Sequence, residues 1–336
     1  MAAVALGASG FGLTASAMAG TLSGAGSTLV APLVSEWSAA YAQQTGNTVN
    51  YHALGSGTGI TDIQQGAVDF GASDAPMTAT QAAGCTSNAA NSCITIPWAL
   101  SATGIGYNIP GIGNGLKLNG AVLAGIYSGS ITNWDNAAIK KLNEHLRLPN
   151  LAIVPVHRSD GSGDTYAFTN FLSHVSSSWA STYSYATTIS WNPNVGTTGK
   201  GNAGIALAVK ATAGTIGYMS GSYLLSANIS TAAIENAAGK FEYPDPNSIA
   251  NAAAIVHSVP AGGVSIVDPP KSQKIAYPIS TFTYAIVPTN ALQAPLLKNW
   301  LTWCVNQGRG FGFAQDFVPI PGVVQRAAEA DISQIS

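Results

Sequence analysis

The sequence predicts an α/β fold of two domains, with mixed, mostly parallel sheets and two crossings between them. Three observations predict it. Three strand–loop–helix units follow one another between residues 21 and 76, an order that lays helices on the faces of a parallel sheet. Two long apolar, β-rich runs, residues 94–109 and 278–287, lie far apart in the chain. Between them a strand at 152–156 runs straight into a polar loop and another helix. Taken as crossings near 98–106 and 276–284, the two runs make a protein with two hinges that closes on a ligand. The expected divisions are a leader at 1–19, domain I at 20–98 and 280–336, and domain II at 99–279.

The 336 residues suffice for two domains. Only 8% are charged and the net charge is −2, which excludes a nucleic-acid binder with its clustered Lys and Arg. The chain is 46% hydrophobic with recurring apolar segments and no charge run, the composition of a globular protein. Residues 1–19 are small, apolar and uncharged, and end in Ala17-Met18-Ala19 before Gly20, resembling the apolar and cleavage regions of a secretory signal without its basic segment. The stretch is too short and glycine-broken to span a membrane. No cysteine stands at its end, so a lipid anchor there is not expected, and an exported, periplasmic protein is.

Taken in order, Thr21–Ser23 reads as a strand, Gly24–Thr28 as a loop and 29–44 as a helix. Leu29, Leu33, Trp37 and Tyr41 recur every four residues on one face, Pro32 suits a first turn, and Gly46 is a stop. The second unit is a strand at 48–54, the loop Gly55-Ser56-Gly57-Thr58-Gly59 and a helix from Ile60 to Gln65. The third is a strand at 68–72 followed by Ser73-Asp74-Ala75-Pro76. Ligands in such sheets bind beyond the carboxyl ends of the strands, where all three loops would lie. In domain II, residues 120–127, Asn133-Trp134-Asp135 and 137–142 suggest helices. A helix at 203–209, opened by Gly199-Lys200-Gly201-Asn202, a strand at 215–219 and a final helix at 294–306 complete the reading. Cys85 and Cys93 flank a polar loop. In an exported chain they read as a disulfide, whereas a metal pair would lack His or Cys partners nearby. Cys304 reads as a buried thiol.

The chemistry concentrates in His157-Arg158-Ser159-Asp160-Gly161-Ser162-Gly163-Asp164-Thr165, just ahead of a helix with Phe168, Phe171 and Leu172 at helical spacing. Backbone N–H groups at a helix start have no intrahelical partner, and the helix dipole adds partial positive charge there. With Arg158 this makes a site for an oxyanion. Asp160 pairs with Arg158 and fixes the guanidinium plane. His157 reads as a packing or surface residue and Lys200 as a solvated one. Gly24–Thr28 lacks the lysine of a P-loop, and Gly55–Gly59 lacks the dinucleotide spacing. Gly71-Ala72-Ser73-Asp74-Ala75 comes near a nucleophile elbow but ends in Ala, and the five histidines fall in no triad context. Asp74 alone could equally cap a helix.

Together, Gly24–Thr28, Gly55-Ser56-Gly57, the run Val68–Pro76 and Arg158–Gly163 strongly resemble the periplasmic phosphate-binding protein of the phosphate-specific ABC transporter. Ile131–Asp135, Gly199–Asn202 and Ile216-Gly217-Tyr218 fit it too, so the likeness runs over about residues 20–330. It implies a type II periplasmic binding protein, two α/β domains with one phosphate buried between them. Carried over by motif, Thr28 and the Leu29 backbone N–H donate from the first loop and Ser56 from the second. Asp74 accepts from a protonated phosphate oxygen. Arg158 binds phosphate bidentately and is oriented by Asp160. Ser162 and the Gly163 backbone N–H donate from domain II. Many members carry Thr where this chain has Asp164, which is expected to act as a second acceptor and to weaken binding as pH rises.

The resemblance implies capture of inorganic phosphate and delivery to a membrane ABC permease by a monomer with no catalytic residue, metal or organic cofactor. Phosphate near neutrality carries at least one proton and sulfate none, so a buried carboxylate admits the first and repels the second. Arsenate, nearly isosteric, would bind more weakly. The alternative class is a secreted phosphatase-like enzyme on the same scaffold, although the sequence offers neither a metal-ligand cluster nor a nucleophile–base pair.

Overall fold

The computed structural model describes residues 19–85, 92–260 and 263–336. The leader expected at 1–19 therefore lies, but for Ala19, outside the described residues. The first lobe begins with β1 (Thr21–Gly26), α1 (Ala31–Thr45), β2 (Thr48–Ala53), α2 (Ser56–Gln64), β3 (Phe70–Ser73) and α3 (Ala79–Ala83), and leads into the long β4 (Cys93–Tyr107). Leu33, Val34, Trp37 and Tyr41 form the buried face of α1, which carries a proline in its first turn and ends at Gly46. Trp37, Tyr41, Trp98, Trp300 and Trp303 pack edge-on and stacked into an aromatic core beneath the sheet. Cys85 and Cys93 are joined by a disulfide, and Cys304 is buried and unpaired.

The second lobe holds β5 (Lys117–Leu118), α4 (Gly120–Ser128), α5 (Ala137–Leu142), β6 (Val154–Arg158), α6 (Gly163–Val175), α7 (Ser177–Thr182), β7 (Thr197–Gly199), α8 (Gly201–Ala211), β8 (Thr215–Ser220) and α9 (Gly221–Ser226). It continues with β9 (Ser230–Thr231), β10 (Ala233–Glu235), β11 (Phe241–Glu242) and α10 (Pro246–Ala253). The chain returns through β12 (Ser280–Pro288) and finishes the first lobe with α11 (Ala294–Val305) and α12 (Gly322–Ser333).

Among the described residues the strands form one continuous nine-stranded sheet in the order β2-β1-β3-β12-β4-β8-β6-β7, with β9 on β4, and a small sheet β11-β10-β5. Pairing is parallel toward both ends and antiparallel around the two long strands. The mixed, mostly parallel α/β class is the one the sequence predicts, but the sheets are fused into one. The fusion runs through β4. Its residues up to Ala102 pair with β12, and from Thr103 onward they pair with β8. At that switch Thr103 N donates to Ile279 O at 3.0 Å, and Tyr277 Oη donates to Thr103 O at 3.1 Å. The two crossings are hydrogen-bonded to each other at the point where the chain passes between lobes.

Several expectations are corrected. Asn133-Trp134-Asp135 is not helical. Asn133 makes an isolated bridge to Ala152, and its Oδ1 accepts Asp135 N at 3.1 Å, a side-chain bond that competes with the helical one. Trp134 is buried and donates to Gly214 O at 3.0 Å. The second helix starts at Ser56 rather than Ile60, and β1 runs on to Gly26. The helix at 294–306 is not the last, because Val324, Ala328 and Ile332 bury one side of α12.

Candidate functional site

The site lies where loops from both lobes meet beyond the carboxyl ends of β1, β3 and β6. Asp74 follows β3 and is 1% exposed. Ser27 Oγ, just past β1, lies 2.7 and 2.6 Å from its two carboxylate oxygens. The same Ser27 oxygen accepts Leu29 N at 3.0 Å and Val30 N at 3.3 Å, which tethers the start of α1. Ser56, the first residue of α2, reaches Asp74 Oδ2 at 3.3 Å and accepts Asp74 N at 3.2 Å.

Arg158 ends β6 with its guanidinium buried. Its Nε and Nη2 fork onto Asp160 at 2.8 and 2.5 Å, and its Nη1 donates to Asp164 at 3.0 Å. Among the described residues these bonds occupy three of the five N–H groups a guanidinium offers. Tyr218 on β8 accepts Arg158 N at 3.0 Å and pairs with the Thr165 hydroxyl at 2.7 Å, which locks the end of the strand to the start of α6. Ser162 caps α6 by accepting Thr165 N.

Asp164 is as buried as Asp74. Its Oδ1 accepts from Thr103 at 2.8 Å, and its Oδ2 accepts from Asn202 at 2.7 Å as well as from Arg158. A carboxylate has about four acceptor positions, and three are filled by the protein. The expectation placed Asp164 against the anion, whereas its geometry makes it first a partner of Arg158. Leu29 N, Ser162 Oγ and Gly163 N likewise bond within the protein, Gly163 N to Ser56 Oγ at 3.0 Å.

Protonation follows from this geometry. Burial, then the nearby Asp164 charge, pushes the Asp74 pKa up to about 7, against hydrogen bonds from Ser27 and Thr283 and the charge of Arg158. Burial also raises Asp164, although Arg158, Thr103 and Asn202 oppose it. For Asp160 burial works upward, but the Arg158 fork outweighs it and holds the carboxyl below its ordinary range. Burial works against the Arg158 charge, yet Asp160 and Asp164 leave its pKa above the usual value.

The lobes touch directly. Gly57 N donates to Gly161 O at 2.9 Å, and Asn202 N and Nδ2 both donate to Thr28 Oγ1 at 3.2 and 2.9 Å. A Cβ added to Gly163 would lie 2.4 Å from Asp74 Cβ and Oδ2, so only glycine allows this approach. Thr28, Leu29, Ser56, Asp74, Arg158, Asp160, Ser162, Gly163 and Asp164 thus come together in one buried network. Cys85 and Cys93 lie apart from it, beside Met77 in a separate packing cluster. His157 stacks on Trp191 at 4.6 Å, and Lys200 is exposed at the start of α8.

The sequence reading missed Ser27, Thr103 and Asn202 as members of the network. A signal existed for Thr103, a hydroxyl residue on a mostly apolar buried strand, since buried hydroxyls seek partners. Among the described residues no group of His, Cys, Asp and Glu is placed to hold a metal ion. No described helix is long and apolar enough to cross a membrane.

Two α/β lobes, two crossings and a buried polar network between the lobes define a two-lobed binding protein of the kind that encloses a small ligand. The comparisons with known proteins place it further. A profile described as "PBP superfamily domain" matches residues 14–307. The chain is 35% identical over 324 residues to the phosphate-binding protein PstS of Pasteurella multocida, covering 95% of this chain and 91% of the relative. It is also 35% identical over 313 residues to the PstS of Xylella fastidiosa strain Temecula1, covering 92% and 84%. The chain belongs to the PstS family of phosphate-binding proteins within the PBP superfamily. The fold is shared with a high affinity periplasmic phosphate-binding protein, PfluDING, solved with phosphate bound, at a TM-score of 0.74, 23% identity and 92% and 93% coverage. It is shared also with a phosphate-binding protein from Stenotrophomonas maltophilia, at 0.72, 20% identity and 94% of both chains.

Proposed function

We propose that this chain is an exported receptor that captures inorganic phosphate between its lobes and delivers it to an ABC-type permease. It acts without chemistry on the anion, as a monomer in the periplasm. Residues 20–98 with 280–336 form one moving body and residues 99–279 the other. The observation that carries the reading is one buried network that holds a guanidinium from one lobe, Arg158, and a carboxyl from the other, Asp74, among hydroxyl and backbone N–H donors. Membership of a family whose relatives are named for phosphate binding supports it.

In this reading Thr28, Leu29 N and Ser56 donate from the first lobe, and Arg158, Ser162 and Gly163 N donate from the second, the Leu29 and Gly163 amides exchanging their bonds to Ser27 and Ser56 for bonds to the anion. Asp160 keeps the guanidinium plane fixed. Closure strips water from the anion, which strengthens every polar contact in the cleft. Asp74 accepts the proton that phosphate carries, whereas sulfate would set an unpaired charge against it. Losing a buried charged partner typically costs about 2–5 kcal/mol, on the order of 30-fold to several-thousand-fold in affinity. Asp164 adds a further negative group, so phosphate with more protons is favoured.

The test is calorimetric titration of phosphate-stripped protein with phosphate and then sulfate at two pH values. One-to-one phosphate binding with sulfate silent is the expected result. Absence of phosphate binding would overturn the receptor reading, and equal binding of both anions would remove the Asp74 gate.

A further inference from the structure

We infer that Asn202 is a positioning residue that turns the Thr28 hydroxyl into an obligatory hydrogen-bond donor once the lobes meet. The inference rests on the phosphate reading of the same cleft.

The orientation of the Asn202 amide is fixed by two partners of known polarity. Its Oδ1 accepts Ser220 N at 2.7 Å, and a backbone N–H can only donate. Its Nδ2 then faces Asp164 Oδ2 at 2.7 Å, where an ionised carboxylate can only accept. The same Nδ2 donates to Thr28 Oγ1 at 2.9 Å, and Asn202 N adds a second donor to that oxygen at 3.2 Å. A threonine hydroxyl has two acceptor positions and one proton. Both acceptor positions are filled by Asn202, so Thr28 has only its proton left to offer.

Local structure holds Asn202 to this task. Gly201 has φ +64°, and a Cβ built there would lie 3.3 Å from Thr28 Cγ2, so the residue ahead of Asn202 is a glycine that lets the two loops approach. Asn202 is fully buried and Thr28 is 7% exposed. Thr28 belongs to the first lobe, and Asn202, Ser220 and Asp164 belong to the second. The hydroxyl is therefore free to point either way while the lobes are apart and is committed only when they come together. An anion is all acceptor on its unprotonated oxygens, so a hydroxyl unable to accept favours it and removes a competing orientation.

The test is a double-mutant cycle on phosphate affinity, read by calorimetry at about pH 8. Asn202→Asp reverses the bond: an oxygen replaces Nδ2 between Asp164 and Thr28, and even with a proton shared between the two carboxyls it accepts the Thr28 proton, so the lobes stay linked but the donor is turned away from the anion. Thr28→Val removes the hydroxyl and should weaken phosphate about tenfold. Asn202→Asp should cost about tenfold more with Thr28 present than in the Thr28→Val background, because the added charge acts in both backgrounds and the turned proton in only one. Thr28→Ser should restore the full cost of Asn202→Asp. Equal costs in both backgrounds would overturn the inference, since a plain latch or a bare charge effect gives that result. An unchanged affinity in Thr28→Val would overturn it too. Where the Thr28→Val protein does not fold, Thr28→Ala takes its place in the cycle. Failure of the unsubstituted protein to bind phosphate would instead sink the functional reading, so the two failures are distinct.

Discussion

Arg158 is bonded to two carboxylates at once, and this sets the charge of the cleft. One positive group stands against Asp160 and Asp164 before Asp74 is counted. An approaching anion therefore depends on dipoles and N–H donors as much as on the guanidinium. Asp164 takes donors from Arg158, Thr103 and Asn202 and brings a second negative group into the cleft, so affinity falls as pH rises and phosphate itself loses a proton. Asp164→Thr should make the fall in phosphate affinity between about pH 6 and about pH 8 shallower. An unchanged profile on titration would refute the role given to Asp164. The Arg158–Asp160 pair was legible because its members are near neighbours in one loop. Thr103 and Asn202 were not, since they reach Asp164 from 61 and 38 positions away, and no local pattern records such a meeting.

At the scale of elements, the helices with apolar residues every four positions could be read directly, as α1 and α11 were. The parallel units could be read as well, because a glycine-rich loop between a strand and a helix leaves a clear pattern. Strands of two or three residues, such as β5, β9 and β11, were not legible, for they carry no period and exist only where a neighbouring strand supplies bonds. The start of α6 is an element placed for contact, with Gly163 against Asp74. Gly163→Ala should weaken phosphate about tenfold to a hundredfold, the usual range for forcing a methyl group into a packed contact. The thermal midpoint of the ligand-free protein should stay unchanged, because the clash arises only where the lobes meet. Calorimetry paired with a melt separates the two, and a lowered midpoint with unchanged affinity would contradict this placement.

For the whole molecule, the buried carboxylates set how stability depends on pH. Burial pushes Asp74 up to about 7, and burial with the Asp245 charge brings Asp316 to about 6. Unfolded aspartates titrate near 3.9, so the folded chain binds more protons in between, and the stability this gives is lost as pH rises from about 4 through about 7. Asp160 acts in the opposite sense, but only as pH falls below the ordinary carboxylate range. Scanning calorimetry should therefore find the ligand-free protein melting higher at about pH 5 than at about pH 8, with Asp74→Asn removing most of the difference. A higher midpoint at the alkaline pH would exclude this account. The α/β class and both crossings were legible at this scale, since long apolar runs survive in any local reading. The fusion of the sheets was not, because β4 changes partners midway with no mark in its sequence.

The pairing of β4 with β12 has a mechanical consequence. From Cys93↔Pro288 to Ala102↔Ser280 the two connecting strands lie side by side as a paired ribbon, with β3 alongside β12 at Tyr284–Ile286, and the bonds at Thr103 keep them yoked where they leave the first lobe. A ribbon of this kind resists stretching and shear in its own plane and yields most easily to bending across it. Two separate tethers would let the lobes slide and swivel independently, whereas a yoked pair leaves one soft direction. The encounter with the ligand then becomes a swing about a single pivot line, and the lobes need not search through relative orientations to find the arrangement that encloses it.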